Sequence, residues 1–293
     1  MSPPAAKRIR ASGRKKAVKA GVSPCIFKAK ASSIMAPYIG RPAHNLPLFV
    51  QADEAREKKL IREHFGNRRN GVFVEVGAND PTSPESQSYH LETELGWTGL
   101  LIEPIPYLAQ LARQERPKAT VCEFACTSPD KVGFLELLIP KVGDELMTGH
   151  ASLEANIDEH NYREFESIRV EALALSAICS NNLIDNIDLL SIDVEGAELE
   201  VLLGADLQKF KPKLILLEDK HLYLVKHRFL LKAGYVLAQR HNRNCWYVKR
   251  GEVLPRVAFS QRFKLWKRMY VSIWVKKIAY AIRHRTIKPF LVF

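Results

Sequence analysis

The sequence predicts an α/β fold built on an open, mostly parallel sheet, and three observations carry that reading. Short apolar runs alternate with helix-forming segments from residue 72 to residue 249. Two of the runs, Ile187 to Ile192 and Leu214 to Leu217, are apolar at nearly every position, as in strands covered by helices on both faces. The last two runs are separated by only a few residues, which predicts an antiparallel hairpin at the sheet edge.

With 293 residues and 46% hydrophobic content the chain can bury a full-sized core. Residues 1–45 carry Pro, Ala, Lys, Ser and Gly without sustained apolar periodicity and read as a mostly flexible basic extension. A helix is expected over Glu54 to Phe65, and Gly71 then precedes the first strong strand, 72–76. A helix over about 85–95, a strand at 99–103, a helix over about 106–115 and strands at 119–125 and 132–139 follow. Residues 140–167 read as loop-rich. The alternation resumes with strand 168–171, helix 173–183, strand 187–192, helix 196–203, strand 213–218 and helix 223–232, and ends in strands 235–240 and 244–249. This gives one domain, 46–252, between the N-terminal extension and a basic, aromatic C-terminal extension, 253–293.

In an open α/β sheet the ligand lies outside the carboxyl ends of the strands, where the strand order reverses. The first strand runs into Glu75-Val76-Gly77-Ala78-Asn79-Asp80-Pro81. Gly77 allows a sharp turn and close approach of the backbone to a ligand. A dinucleotide loop needs G-x-G-x-x-G, but Asn79 stands where the second glycine would be, so pyrophosphate binding is disfavoured. Glu75 instead suits a ligand with a positive end. The second strand ends in Glu103, placed to accept hydrogen bonds from both hydroxyls of a ribose. A third strand runs directly into Asp193-Val194-Glu195-Gly196-Ala197-Glu198. Carboxylates after so apolar a run gain proton affinity through desolvation and become usable bases. The other reading of the same acids is structural: Asp193 as helix N-cap, with Glu195 and Glu198 in the first turn facing the macrodipole.

Together, V-F-V-E-V-G-A-N-D-P, G-W-T-G-L-L-I-E-P (Gly96 to Pro104) and I-D-V-E-G-A-E-L-E-V-L-L-G-A (Ile192 to Ala205) resemble the FkbM family of methyltransferases over residues 70–250. The resemblance implies the class I (Rossmann-like) methyltransferase fold, with a seven-stranded mostly parallel sheet and an antiparallel C-terminal hairpin. It also implies S-adenosyl-L-methionine as donor and O-methylation of a sugar or related small-molecule hydroxyl. Carried over by position, Glu75, Gly77 and Asn79 line the methionine end, Glu103 the ribose, and Asp193 with Glu195 the catalytic side. Two positions depart from the pattern: Ser191 stands where many members have Lys, and Ala174-Leu175-Ser176 replaces T-L-D.

Methyl transfer is an in-line displacement that asks the protein to align two reactants and remove one proton. Asp193 is the expected base, with Glu195 and His221 as alternates, and His150 is expected to face the acceptor from the 140–167 insertion. A divalent metal shared by Asp193 and Glu195 is the weaker reading and no metal ligand is assigned, because oxygen-ligand sites normally need more groups than these two supply.

Charge is distributed unevenly. Residues 1–50 hold ten Lys and Arg and no acid, residues 240–293 hold fourteen with only Glu252, and 51–239 is acidic, twenty bases against thirty-one acids. Over 262–285 a helical projection gathers Phe263, Trp266, Met269, Tyr270, Ile273, Trp274 and Tyr280 opposite Lys264, Arg268, Ser272, Lys276 and Arg283, with Lys267 and Lys277 breaking the pattern. That arrangement suits a helix lying in an anionic membrane interface, and equally a helix packed on the domain with its basic face in water. The net charge of +12 admits a nucleic-acid methyltransferase as an alternative, but the Asn/Asp-Pro-Pro-aromatic signature of base modification is absent and the domain itself is acidic. A non-catalytic, membrane-associated module of the same fold is the remaining alternative. Five cysteines without C-x-x-C spacing imply a reducing, cytoplasmic setting. The Arg-rich, acid-free start reads as an organellar presequence or as a basic arm.

Overall fold

The computed structural model describes residues 48–153, 162–219 and 224–284. The N-terminal extension and His221 therefore lie outside the described residues. Helix α1 (Leu48–His64) leads into β1 (Val72–Val76), α2 (Tyr89–Leu95), β2 (Thr98–Ile102), α3 (Pro106–Glu115) and β3 (Ala119–Cys122). Strands β4 (Ala125–Thr127), β5 (Gly133–Val142), β6 (Glu145–Leu146), β7 (Ser152–Leu153) and β8 (Glu164–Ala174) come next. Then follow α4 (Leu175–Asn181), β9 (Leu189–Ile192), α5 (Glu198–Gly204), α6 (Leu207–Phe210), β10 (Leu214–Glu218), α7 (Leu224–Lys232), β11 (Tyr235–His241) and β12 (Asn244–Lys249). The chain continues into α8 (Phe259–Lys267), a π-helical turn (Arg268–Ser272) and α9 (Ile273–His284).

Seven strands form the main sheet in the order β11-β12-β10-β9-β1-β2-β3. Every pairing is parallel except the two made by β12, which inserts antiparallel between β10 and β11. The expected hairpin is therefore present, with β11 as the outer strand. Chain order runs outward from β1 through β2 and β3, then restarts on the other side at β9. The carboxyl ends of β1 and β9 thus flank the reversal point, where a ligand crevice opens.

Successive strand residues point to opposite faces, and both faces are covered. Val74, Val76, Leu100, Ile102, Leu190 and Ile192 pack on one side against Ile178, Val201 and Leu202 of the helices. Phe73, Leu101, Leu189, Leu214 and Leu216 pack on the other against Ile61, Leu91, Ala109 and Ala112. Helix α1 is pinned to the antiparallel strand by the Glu57 carboxylate, which accepts from Asn244 Nδ2 and Trp246 Nε1, each at 2.8 Å.

The stretch 140–167, expected to be loop-rich, is entered from both sides by long strands: β5 runs on to Val142 and β8 starts at Glu164, with the two-residue strands β6 and β7 between them among the described residues. Strands β5 and β8 pair antiparallel from Gly133↔Ala172 to Lys141↔Glu164, and with β4, β6 and β7 they build a second, five-stranded sheet. The alternation that supports it is visible in β8, where Val170, Ala172 and Ala174 are buried and Arg169 and Glu171 are exposed. With Leu137 and Ile139, Val170 and Ala172 cover Ile105 and Leu108 at the start of α3. The small sheet thereby stands beside the crevice.

Candidate active site

A hollow of about 580 Å³ opens at the reversal point. Glu75, Gly77, Asn79, Glu103, His150, Asp193 and Glu195 all line it. Four stretches of sequence up to 120 residues apart are thus brought to one place by the ends of β1, β2 and β9 and by the turn before β7.

The first loop is held by backbone bonds. Gly77 N and Ala78 N both donate to Ile102 O, at 3.0 and 3.2 Å, and Asp193 N donates to Val76 O at 3.0 Å. Gly77 has φ +81°, and a Cβ there would lie 1.8 Å from the Asp193 carbonyl oxygen. Its requirement for glycine comes from the crossing of two loops, rather than from ligand approach alone as the sequence reading has it. Asn79, also left-handed (φ 43°), donates its backbone N–H to Glu103 Oε2 at 2.8 Å, and its Oδ1 accepts from Thr148 Oγ1 at 3.0 Å. It couples the binding loop to the turn that carries His150. The His150 ring in turn pairs through Nδ1 with the Tyr162 hydroxyl.

Glu103 is almost fully buried, and its other oxygen accepts from Ile105 N at 2.9 Å. Burial pushes its carboxyl up to about 7 against the lowering effect of these two amides. Each oxygen accepts one amide, so each keeps a further lone pair for a ligand hydroxyl.

Glu75 borders the hollow, but its carboxylate is engaged by the protein more than the sequence implies. Oε1 accepts from Gln87 N at 2.8 Å, and Oε2 accepts from Ser86 Oγ at 3.0 Å and from Ser88 Oγ. Ser88 also accepts from Arg116 Nη2 at 2.8 Å, and Arg116 continues to Glu92 Oε2 through Nε at 2.6 Å and to the Pro81 carbonyl through Nη1 at 2.9 Å. A fully buried guanidinium therefore clamps both ends of the 81–88 segment that faces Glu75. Neither Arg116 nor the serines are apparent as site residues in the sequence, since no local pattern marks them.

On the opposite side, Asp193, Glu195 and Glu218 each bring one carboxylate oxygen within 4.8 Å of the others. The sequence alone does not mark Glu218 as a site residue. The available signal is its place: β10 pairs with β9 through Leu217↔Ile192, so the residues that follow, Glu218 and Asp193, sit side by side at the strand ends. Asp193 is open to the hollow although protein surrounds it. That enclosure first, then the charges of Glu218 and Glu195, hold its proton affinity well above the usual carboxylate range. Three such oxygens also offer part of a shell for a hard divalent cation, with the remaining positions left to water or substrate.

Asp193 does not cap the following helix. Helix α5 starts at Glu198 with Ala197 as its N-cap, so the capping reading gives way to one in which Asp193 is free of a helical role. Glu195 holds a left-handed backbone (φ 48°) that only glycine, asparagine and aspartate adopt cheaply. The turn is braced from below: Glu198 Oε1 accepts from Gly196 N at 2.8 Å, and Glu198 Oε2 pairs with the buried Lys226 Nζ at 3.0 Å. Lys226 also pairs with Asp219 at 3.3 Å.

Among the described residues, nine carboxylates line the hollow against one arginine, Arg243, and one histidine, His150. Cationic and neutral hydroxyl-bearing ligands are favoured in such a field, and anionic ones are repelled.

Residues 75–237, more than half of the chain, match the family described as methyltransferase FkbM domain. Among solved structures, the chain is similar to a precorrin-6y C5,15-methyltransferase from Geobacter metallireducens GS-15, at 11% identity over 65% of this chain and 86% of that one, with a TM-score of 0.31. No curated protein matches. The matched span begins at Glu75, passes through Glu103, Asp193 and Glu218, and ends in β11, so the strand tips around the hollow all fall within it. The chain belongs to the FkbM methyltransferase family.

Proposed function

We propose that the protein transfers a methyl group from S-adenosyl-L-methionine to a hydroxyl of a neutral, sugar-like acceptor. The observation that carries this reading is the convergence of Glu103 and Asp193 on one acid-lined hollow, from strand ends on either side of β1. The residues present fit the donor. Glu103 would hold the ribose hydroxyls with the lone pairs its two amides leave free, and the Gly77–Asn79 backbone would lie along the methionine part. Glu75, held by Ser86, Gln87 and Ser88, would attract the ammonium end. When bound, the donor supplies an electrophilic methyl on a positively charged sulfur.

Asp193 would accept the proton of the acceptor hydroxyl as that hydroxyl's oxygen takes the methyl group, the electron pair of the broken carbon–sulfur bond staying with the donor's sulfur. A carboxylate with raised proton affinity is a stronger base than one free in water, and the general-base contribution to such a step is about 10²–10⁴-fold. The surplus of acids supports a neutral acceptor and weighs against a nucleic acid, whose phosphates this hollow repels. Four buried free thiols, Cys122, Cys126, Cys179 and Cys245, suit a reducing, cytoplasmic compartment.

Asp193→Asn tests the assignment. Methyl transfer from labelled donor to a panel of neutral oligosaccharides should fall at least about 100-fold, while donor affinity by calorimetry stays within a few-fold. The wild-type rate should climb with pH as Asp193 loses its proton, and that climb should vanish in the variant. A normal rate in Asp193→Asn, or transfer to RNA in preference to the glycans, would overturn the proposal.

A further inference from the structure

Beyond residue 252 the chain contains ten Lys and Arg and no Asp or Glu. Helices α8 and α9, joined by the π-helical turn, run along residues 259–284, about 39 Å at 1.5 Å per residue. One side of this rod is fastened to the methyltransferase domain. Met269 is buried in the main core, Leu265 is half-buried, and the Tyr270 hydroxyl bonds to His227 Nε2 at 2.7 Å.

The other side is apolar and open. Phe259, Phe263 and Trp266 are 83%, 52% and 51% exposed and fall within about 60° of one another on α8. Phe259, Phe263 and Trp266 stack one on the next, and Trp266 meets at a tilt the ring of Tyr270, whose hydroxyl turns back to the domain. Val271, Val275, Ile278 and Ile282 recur at spacings of four, three and four residues, form a second exposed stripe, and are 39%, 61%, 49% and 73% exposed. A helix that faced only water would place polar residues at these positions. Arg262 and Lys267 flank the ring stack on either side, and both are exposed. The sequence projection put Met269 on this apolar arc, but it belongs to the docked side.

We propose that residues 259–284 are a docking surface for an anionic lipid bilayer, with the domain carried at the membrane surface. Charge selects this occupant. An apolar belt bordered by bases and free of acids matches acyl chains beneath anionic headgroups, whereas Val and Ile stripes have no counterpart on a phosphate backbone. No helix among the described residues is long and apolar enough to cross a membrane, so the rod lies in the interface rather than through it. The aromatic rings suit the headgroup depth, and the long basic side chains reach back to phosphate.

The test uses the full-length protein with vesicles of 30% phosphatidylserine in phosphatidylcholine, and with pure phosphatidylcholine, in flotation gradients. The expected result is recovery with the anionic vesicles, little with the neutral ones, and loss of binding as salt rises. Each basic residue at the surface contributes about a fivefold factor. Arg262→Glu/Lys267→Glu should therefore weaken binding at least about 25-fold. Val275→Glu/Ile278→Glu, both at exposed positions, should abolish recovery without changing the circular dichroism spectrum or melting temperature. Leu183→Asn, which removes an exposed leucine elsewhere, should leave recovery unchanged. Equal recovery with both vesicle types would overturn the proposal. So would self-association without lipid, or RNA binding, that either double variant removes.

Discussion

Arg116 offers the sharpest test of how the donor side of the hollow is held. Its guanidinium is fully buried and Glu92 nearly so; the ion pair between them spans 2.6 Å, and the remaining donors go to Ser86, Ser88 and the Pro81 carbonyl. Arg116→Met keeps the apolar bulk over Phe73 and Tyr89 but removes the charge. Glu92 is then left in the interior with only the Lys118 amide as a partner, and three further acceptors, Pro81 O, Ser86 Oγ and Ser88 Oγ, lose their donor. Breaking a buried pair from one side costs about 3–5 kcal/mol. At about 2–4 °C per kcal/mol for a domain of this size, the melting temperature should fall by roughly 10 °C. Because Ser88 also holds Glu75, donor affinity by calorimetry should fall with it. The double variant Arg116→Met/Glu92→Met removes both charges and should recover most of the lost stability, giving a strongly non-additive cycle. If Arg116→Met unfolds within about 1 kcal/mol of wild type, or if the two single losses simply add, the clamp does not work as described.

Two further outcomes follow from the same geometry. Gly77→Ala places a methyl 1.8 Å from the Asp193 carbonyl at a left-handed φ, so the β1 and β9 loops must part; thermal denaturation should show a clear loss, and donor binding should weaken more than in Asp193→Asn. Glu103 is protonated below about 7 and ionised above it. The carboxylate is the form that best accepts two hydroxyls, so donor affinity should rise about tenfold from pH 6 to pH 8, and that extra rise should be missing in Glu103→Gln; an unchanged pH profile in the variant would exclude Glu103 as the ribose ligand.

The fold class and half of the site are legible in the chain itself, for a local reason. Glu103 and Asp193 directly follow apolar runs and Glu75 is the last residue but one of β1, so short-range patterning alone places carboxylates at strand tips, and alternation of strands and helices aligns those tips on one edge of a parallel sheet. The C-terminal hairpin is equally local, since β11 and β12 are joined by a two-residue turn.

What the sequence leaves open is which distant partners meet. β5 and β8 find each other across a long intervening stretch, and β8 reads as a shorter strand until its full alternation is paired. Arg116 meets Glu92 across 24 residues, and Asn79 meets Thr148 across 69. Glu218 becomes a neighbour of Asp193 only through the β9–β10 register. Patterning over three or four residues determines the elements and their buried faces. The partners of buried charges depend on how those faces close over one another, and many pairings satisfy the same local pattern until packing density and buried hydrogen bonding select one.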